Sequence, residues 1–247
     1  RYLGAGQSAM TLLSLILPTY NEAVAAPRLL REIDGVLRAA GIAWEALVLD
    51  DGSPDGTADV VARDFAGNEA IRVIRRRGPR GLAFAVREGI ESARGDTVVV
   101  MDSDFNHDPQ ALPALLGPLA QFDLVSGSRF APGGGMYSSG RYAGSFVMNL
   151  FIRAMLHTQV QDNLSGYFAM RRSDLLRLPA DEIFFGYGDY YFRLLWHARR
   201  AGLRIVELPV FYRSREGGSS KTPLLRTTWR YALATLRFRA AARKTGR

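Results

Sequence analysis

An apolar run that ends abruptly in two carboxylates leaves a chain few ways to fold. Val98-Val-Val-Met101 is apolar and mostly β-branched, the pattern of a strand buried on both faces, and Asp102-Ser-Asp104 follows it directly. Such a strand belongs inside an α/β sheet, and open α/β sheets bind their ligands at the carboxyl ends of their strands. Asp-x-Asp in that place is a compact holder for a hard divalent cation, with substrate phosphates completing the oxygen shell. The bland reading is a polar turn, with Asp108-Pro109 starting the next helix. The other strand ends weigh on the choice.

The same unit recurs along the chain. Leu12 to Leu17 reads as a strand halted by Pro18, and Thr19-Tyr-Asn-Glu22 is a polar loop before a helix from Ala25 to Ala40 closed by Gly41. Trp44 to Asp50 carries Ala46-Leu-Val-Leu49 into the core, and Asp50-Asp-Gly-Ser-Pro-Asp-Gly-Thr57 breaks it, with Thr57 placed to cap the next helix. Ile71 to Ile74 is a third strand, followed by a helix from Leu82 to Ala93. Thr97 to Met101 is the fourth strand, and Leu124-Val125 a fifth that ends in Ser126-Gly-Ser-Arg129. This alternation predicts an α/β fold: a mostly parallel central sheet with helices on both faces.

Beyond Phe130 the pattern changes. Ala131 to Gly135 reads as a flexible loop and Gly144 to Leu156 as a helix too short to span a bilayer. The aromatic run Ile183 to Phe192 leads into a helix through Ala201, Ile205 to Tyr212 is a last strand, and Ser214 to Lys221 has a mobile-loop composition. Pro223 to Arg243 reads as an amphipathic helix, with Leu225, Trp229, Leu233 and Leu236 at spacings of three or four and Arg226, Arg230, Arg237 and Arg239 around them. Such a helix lies on an anionic membrane surface or packs on the domain with its basic face in solvent.

Composition narrows the function classes. The chain has 247 residues, enough for one large domain, which divides into a tail (1–10), the α/β domain (11–221) and the basic C-terminal helix (222–247). No cysteine is present, so disulfides and thiolate metal sites are excluded. A net charge of +8 points to anionic partners, yet no nucleic-acid recognition motif accompanies it and no nucleic acid is expected. Arg1 to Ala9 lacks a signal-peptide core, and no apolar run is long enough for a membrane span. The expected place is therefore cytoplasmic, peripheral on the cytoplasmic face of a membrane, with room for a membrane-anchoring partner protein. A dinucleotide dehydrogenase is disfavoured, because no Gly-x-Gly-x-x-Gly follows the first strand.

Taken in order and spacing, Pro18-Thr-Tyr-Asn-Glu22, Asp50-Asp-Gly-Ser53, Gly81 to Ala85, Asp102-Ser-Asp104, Ser126 to Phe130, Leu164 to Phe168, and Glu207-Leu-Pro209 followed by Arg215 and Gly218-Ser-Ser-Lys221 resemble family 2 glycosyltransferases of the GT-A fold. Within that family the chain is most similar to dolichol-phosphate and polyprenyl-phosphate mannosyltransferases, over about Leu12 to Lys221. The resemblance implies that Pro18, Tyr20, Glu22, Asp50, Asp51, Ser53, Asp102 and Ser103 bind a GDP- or UDP-sugar. It implies that Asp102, Asp104 and Asn106 hold Mg²⁺ or Mn²⁺, with His107 beside them. Arg129 and Arg141 would meet an acceptor phosphate, while Arg215, Ser220 and Lys221 sit on a loop that closes over the phosphates.

The implied reaction is an inverting, metal-dependent transfer of a mannose- or glucose-type sugar to a polyprenyl or dolichyl phosphate. One segment departs from the family pattern: Phe185-Gly-Tyr-Gly-Asp189 places Asp189 near the catalytic base of relatives that glycosylate a hydroxyl. Transfer to a glycan or lipid-linked sugar hydroxyl, with Asp189 as base, therefore stays open, and so does Asp189 as a helix N-cap. A nonenzymatic nucleotide-sugar-binding module is the rival from another class.

Overall fold

The computed structural model describes residues 12–214 and 224–244. The N-terminal tail (1–10) and the loop positions Arg215, Ser220 and Lys221 lie outside the described residues.

Seven strands form the central sheet: β1 (Leu13–Thr19), β2 (Trp44–Asp50), β3 (Ile71–Arg75), β4 (Thr97–Val100), β5 (Leu124–Ser128), β7 (Phe168–Arg171) and β8 (Ile205–Pro209), in the order β3-β2-β1-β4-β7-β5-β8. All neighbours are parallel except β7, which runs antiparallel between β4 and β5. A separate pair joins β6 (Gly135–Met136) to β9 (Phe211–Tyr212).

Strand periodicity divides the core. Leu13, Leu15 and Leu17 of β1 face one layer with Val99 of β4, and Ile16, Val98 and Val100 face the other. The first layer holds α1 (Ala25–Ala39), α2 (Thr57–Asp64) and α4 (Leu112–Leu116). The second holds α3 (Leu82–Ser92), α6 (Arg172–Arg177), α7 (Ala180–Ile183) and α8 (Tyr190–Arg200). A smaller cluster packs α5 (Ser139–Leu156) and α9 (Leu224–Lys244) against Phe192 and Trp196 of α8.

Several boundaries differ from the sequence reading. Pro18 does not halt β1, which runs on to Thr19 opposite Asp50. Proline removes only one donor from a ladder, and its carbonyl is used by Ser103 Oγ at 2.9 Å. β5 extends through Ser126, Gly127 and Ser128, small residues that are all buried. The expected strand from Ile205 to Tyr212 splits at Val210, and its end pairs in the second sheet. α5 begins five residues early, because its first residues, Ser139-Gly-Arg141, are exposed and carry no apolar signal. Gly56, with φ of 77°, occupies the N-cap of α2 in place of Thr57. The Thr57 hydroxyl instead bonds Asp55 at 2.5 Å and accepts the Glu22 amide at 2.9 Å, tying two strand-end loops together.

Candidate active site

Parallel strands β1, β2 and β4 deliver their carboxyl ends to one edge, and a cleft of about 610 Å³ opens there. Pro18, Tyr20, Glu22, Asp51, Asp102, Ser103, Asp104, Asn106 and Arg129 all line it. Three loops separated by dozens of residues in sequence thus meet as expected.

Neighbours on one strand end have different work. Asp50 is buried, with its two oxygens accepting the Ser53 hydroxyl at 2.5 Å and the Ser53 amide at 3.1 Å. Ser53 Oγ in turn accepts the Asn21 amide at 3.0 Å. Neither Asp50 nor Ser53 is among the residues lining the cleft; together they brace the loop. Asp51 does line it, and its oxygens accept Arg76 Nη1 at 2.5 Å and the Gly81 amide at 2.7 Å.

The Asp-x-Asp loop is held from behind by His107. Its Nδ1 accepts the Asp102 amide at 2.9 Å, which puts the ring proton of the neutral form on Nε2, 3.7 Å from Asp102 Oδ2. The imidazole stacks on Tyr167 with centroids 4.6 Å apart and meets Tyr212 edge-on at 4.7 Å. Asp104 is buried and accepts the Asn106 amide at 3.0 Å, while the Asp102 carboxylate is about one-third exposed in the cleft (34%). No group of three or more His, Cys, Asp and Glu forms a metal cage among the described residues. The donor set is all oxygen and sparse, which fits Mg²⁺ or Mn²⁺ keeping positions for diphosphate oxygens.

Arg129 meets the cleft as half of an ion pair. Its Nε and Nη2 donate to the two oxygens of Asp162 at 2.7 Å each, and its own amide adds a third bond at 3.0 Å. Glu207 fixes that carboxylate's segment by accepting the amides of Gln161 at 2.7 Å and Asp162 at 2.9 Å. Burial disfavours the Arg129 charge, but Asp162 outweighs it and keeps the guanidinium protonated. Nη1 makes no hydrogen bond among the described residues, so one edge of the guanidinium is left for a ligand. Arg141 is exposed on the first turn of α5, outside the lining set.

Asp189 is also outside that set, at a smaller neighbouring pocket. It occupies the N-cap position of α8 but caps none of the helix's amides. Its Oδ1 accepts the Tyr187 amide at 2.8 Å and its Oδ2 accepts Arg193 Nη1 at 2.5 Å.

Sequence reasoning missed a whole wall. Thr227, Arg230 and Tyr231 of α9 line the cleft, together with Tyr187, Gly188, Tyr190 and Tyr212. Burial pushes the Tyr190, Tyr212 and Tyr231 hydroxyls above their ordinary range, so they serve as neutral hydrogen-bonding groups. The signal for the α9 wall lay off its Leu/Trp stripe: Tyr231, Ala234 and Phe238 recur at helical spacing and pack inward.

Residues 14–178 match Glycosyl transferase family 2. The chain belongs to this family. It is 39% identical over 214 residues to an undecaprenyl-phosphate mannosyltransferase of Micrococcus luteus, covering 83% of this chain and 85% of that one. A polyprenol monophosphomannose synthase of Mycolicibacterium smegmatis is 33% identical, covering 90% and 86%. A dolichol-phosphate mannosyltransferase of Pyrococcus furiosus is 31% identical; 84% of this chain is covered, but only 58% of that longer relative. Among solved structures, glucosyl-3-phosphoglycerate synthase from Mycobacterium tuberculosis in complex with Mn²⁺, UDP and phosphoglyceric acid superposes with a TM-score of 0.70 at 25% identity, covering 94% of this chain and 79% of that one. The same synthase in complex with Mg²⁺ and UDP gives a TM-score of 0.66 at 26% identity, covering 94% and 80%. This family 2 member thus has the GT-A fold and is a glycosyltransferase similar to polyprenyl-phosphate mannosyltransferases. The nonenzymatic reading is set aside. No helix among the described residues is long and apolar enough to cross a membrane.

Proposed function

We propose that this enzyme transfers mannose from a nucleoside-diphosphate mannose to a polyprenyl phosphate, with inversion and with Mg²⁺ or Mn²⁺. The observation that carries the acceptor half is the state of Asp189, whose two oxygens are engaged by Arg193 and the Tyr187 amide outside the cleft lining. A hydroxyl acceptor needs a carboxylate to take its proton. A phosphate monoester is already anionic at neutral pH and attacks when it is positioned and its charge is balanced. The relatives named as an undecaprenyl-phosphate mannosyltransferase and a polyprenol monophosphomannose synthase support the same acceptor class and mannose as the sugar.

Pro18, Tyr20, Glu22 and Asp51 hold the nucleoside, with Asp50 and Ser53 acting from behind by fixing the loop. Asp102 and Asp104, with Asn106 beside them, would hold the metal. When bound, the divalent ion offsets charge building on the departing nucleoside diphosphate. A phosphate oxygen forms its bond to the anomeric carbon as the bond to the diphosphate breaks, and the electron pair leaves with the diphosphate. Arg129 offers Nη1 on the acceptor side; Arg141 is proposed to meet the same phosphate, and Arg215, Ser220 and Lys221 to close over the phosphates. The enzyme works peripherally at the cytoplasmic membrane face through its C-terminal helix, with or without an anchoring partner.

The test is transfer from a panel of labelled GDP- and UDP-sugars to a polyprenyl phosphate in detergent, with and without Mg²⁺ or Mn²⁺. A metal-dependent mannolipid is expected. Donor binding or slow donor hydrolysis without any lipid product would sink the acceptor assignment.

A further inference from the structure

We infer that Arg230, on the C-terminal helix, is a further cation that receives the acceptor's phosphate, beside Arg129; this rests on the prenyl phosphate acceptor proposed above. Among the described residues, two guanidiniums line the cleft, those of Arg129 and Arg230. A nucleoside diphosphate and a phosphate monoester bring several negative charges into one cleft, and a divalent ion at Asp102 and Asp104 would serve the diphosphate. The acceptor's charge then falls to the guanidiniums. Arg129 is largely neutralised, since Asp162 takes its Nε and Nη2 at 2.7 Å each. Arg230 makes no ion pair or hydrogen bond among the described residues; its guanidinium carbon lies 5.9 Å from the centre of the Tyr187 ring. It is thus the cation of the described wall whose full charge and donor fork remain for a phosphate, to which a guanidinium donates two parallel bonds.

The position suits an acceptor that comes from a membrane. Thr227 stands three residues before Arg230, on the same side of α9, and also lines the cleft. Trp229, the adjoining residue, is 66% exposed on the outer side of the helix, and α5, against which α9 packs, exposes Val147 and Leu150. One helix turn therefore presents an aromatic anchor outward and a phosphate-binding cation inward. A prenyl phosphate whose tail stays in the bilayer meets Arg230 as its headgroup enters.

The experiment measures transfer from the labelled donor selected by the panel to farnesyl phosphate in detergent, which removes membrane docking from the readout. Arg230→Glu is expected to raise the KM for farnesyl phosphate about ten- to hundredfold, the loss of a charge-assisted bond. The donor KM should stay at the wild-type value, Arg230→Lys should fall between, and Arg243→Glu on the same helix should behave as wild type. An unchanged acceptor KM in Arg230→Glu, with wild-type transfer intact, overturns the role of Arg230 alone. Donor and acceptor KM rising together overturns it in favour of a structural role. No transfer to prenyl phosphates by the wild type, with GDP or UDP still bound, overturns the acceptor reading and the role of Arg230 with it.

Discussion

Asp189 shows how far one residue's surroundings govern its chemistry. In sequence it is a carboxylate among aromatics; in the fold it neutralises Arg193, whose side chain is 1% exposed. Arg193 also donates to the carbonyls of Ile183, at 3.0 Å, and Phe185, and lies 3.7 Å from the Phe185 ring centre. Burial pulls the guanidinium below its ordinary range, and Asp189 opposes that pull. Asp189→Asn is therefore expected to destabilise the fold by about 3–5 kcal/mol, the effect of stranding a buried charge. The kcat per folded molecule should stay near wild type. Urea unfolding and kcat measured on one sample check this; normal stability with collapsed turnover would restore Asp189 as the base. The pairing of Asp189 with Arg193, four residues apart, was within reach of the sequence. That of Arg129 with Asp162 was not, because it depends on β5 and the Asp162 turn meeting across 33 residues. Asp50 and Asp51 divide for a local reason: successive residues at a strand end point to opposite sides, so one braces the loop and the other lines the cleft.

The longer helices were legible as helices, the short α4, α6 and α7 were not, and the inward face of α9 was not legible either. The periodicity of Leu225, Trp229, Leu233 and Leu236 locates α9, yet Trp229 and Leu236 point outward while Tyr231, Thr235 and Phe238 turn toward α5 and α8. An aromatic and alanine-rich face competed with the leucine stripe for the core, and the packed partner decided between them, which no single-helix pattern reveals. The result is that Phe146, Val147 and Leu150 of α5 and Trp229 and Leu236 of α9 are exposed on two helices that pack together, and α9 also carries arginines. Binding to phosphatidylglycerol vesicles is expected, weakening from about 0.05 to 0.5 M salt as screening removes the arginine contribution. Trp229→Asp combined with Leu236→Asp should weaken vesicle binding about tenfold or more, since each apolar side chain contributes on the order of 1.5–3 kcal/mol when buried. Sedimentation with vesicles measures it. Equal binding by the double variant would end the membrane role of this face.

Across the whole molecule, the cleft opens at one edge of the sheet and a buried carboxylate braces the other. The α/β order was readable because each strand carries its own apolar run. The antiparallel β7 was not, because nothing in Phe168 to Arg171 encodes direction. At the edge opposite the cleft, buried Glu45 accepts Ser14 Oγ at 2.6 Å, the Arg94 amide at 2.7 Å and Arg72 Nη1 at 2.9 Å. Gly95 closes the same corner, where a Cβ would stand 2.3 Å from the Leu12 carbonyl. Burial raises the Glu45 pKa, but the bonds from Ser14, Arg94 and Arg72 outweigh it and hold the carboxyl below its ordinary value. A carboxyl depressed in the folded state contributes its stability above its unfolded pKa, about 4.3. That contribution disappears as pH falls through the lower folded value. Glu45→Gln should therefore lower stability by about 1–2 kcal/mol at neutral pH, with kcat unchanged because the network lies at the far edge of the sheet. The gap in Tm between wild type and variant should narrow as pH is lowered below about 4. Thermal melts from pH 7 to pH 3 decide it: a gap that stays constant or widens in acid would mean that the Glu45 charge does not hold this edge together.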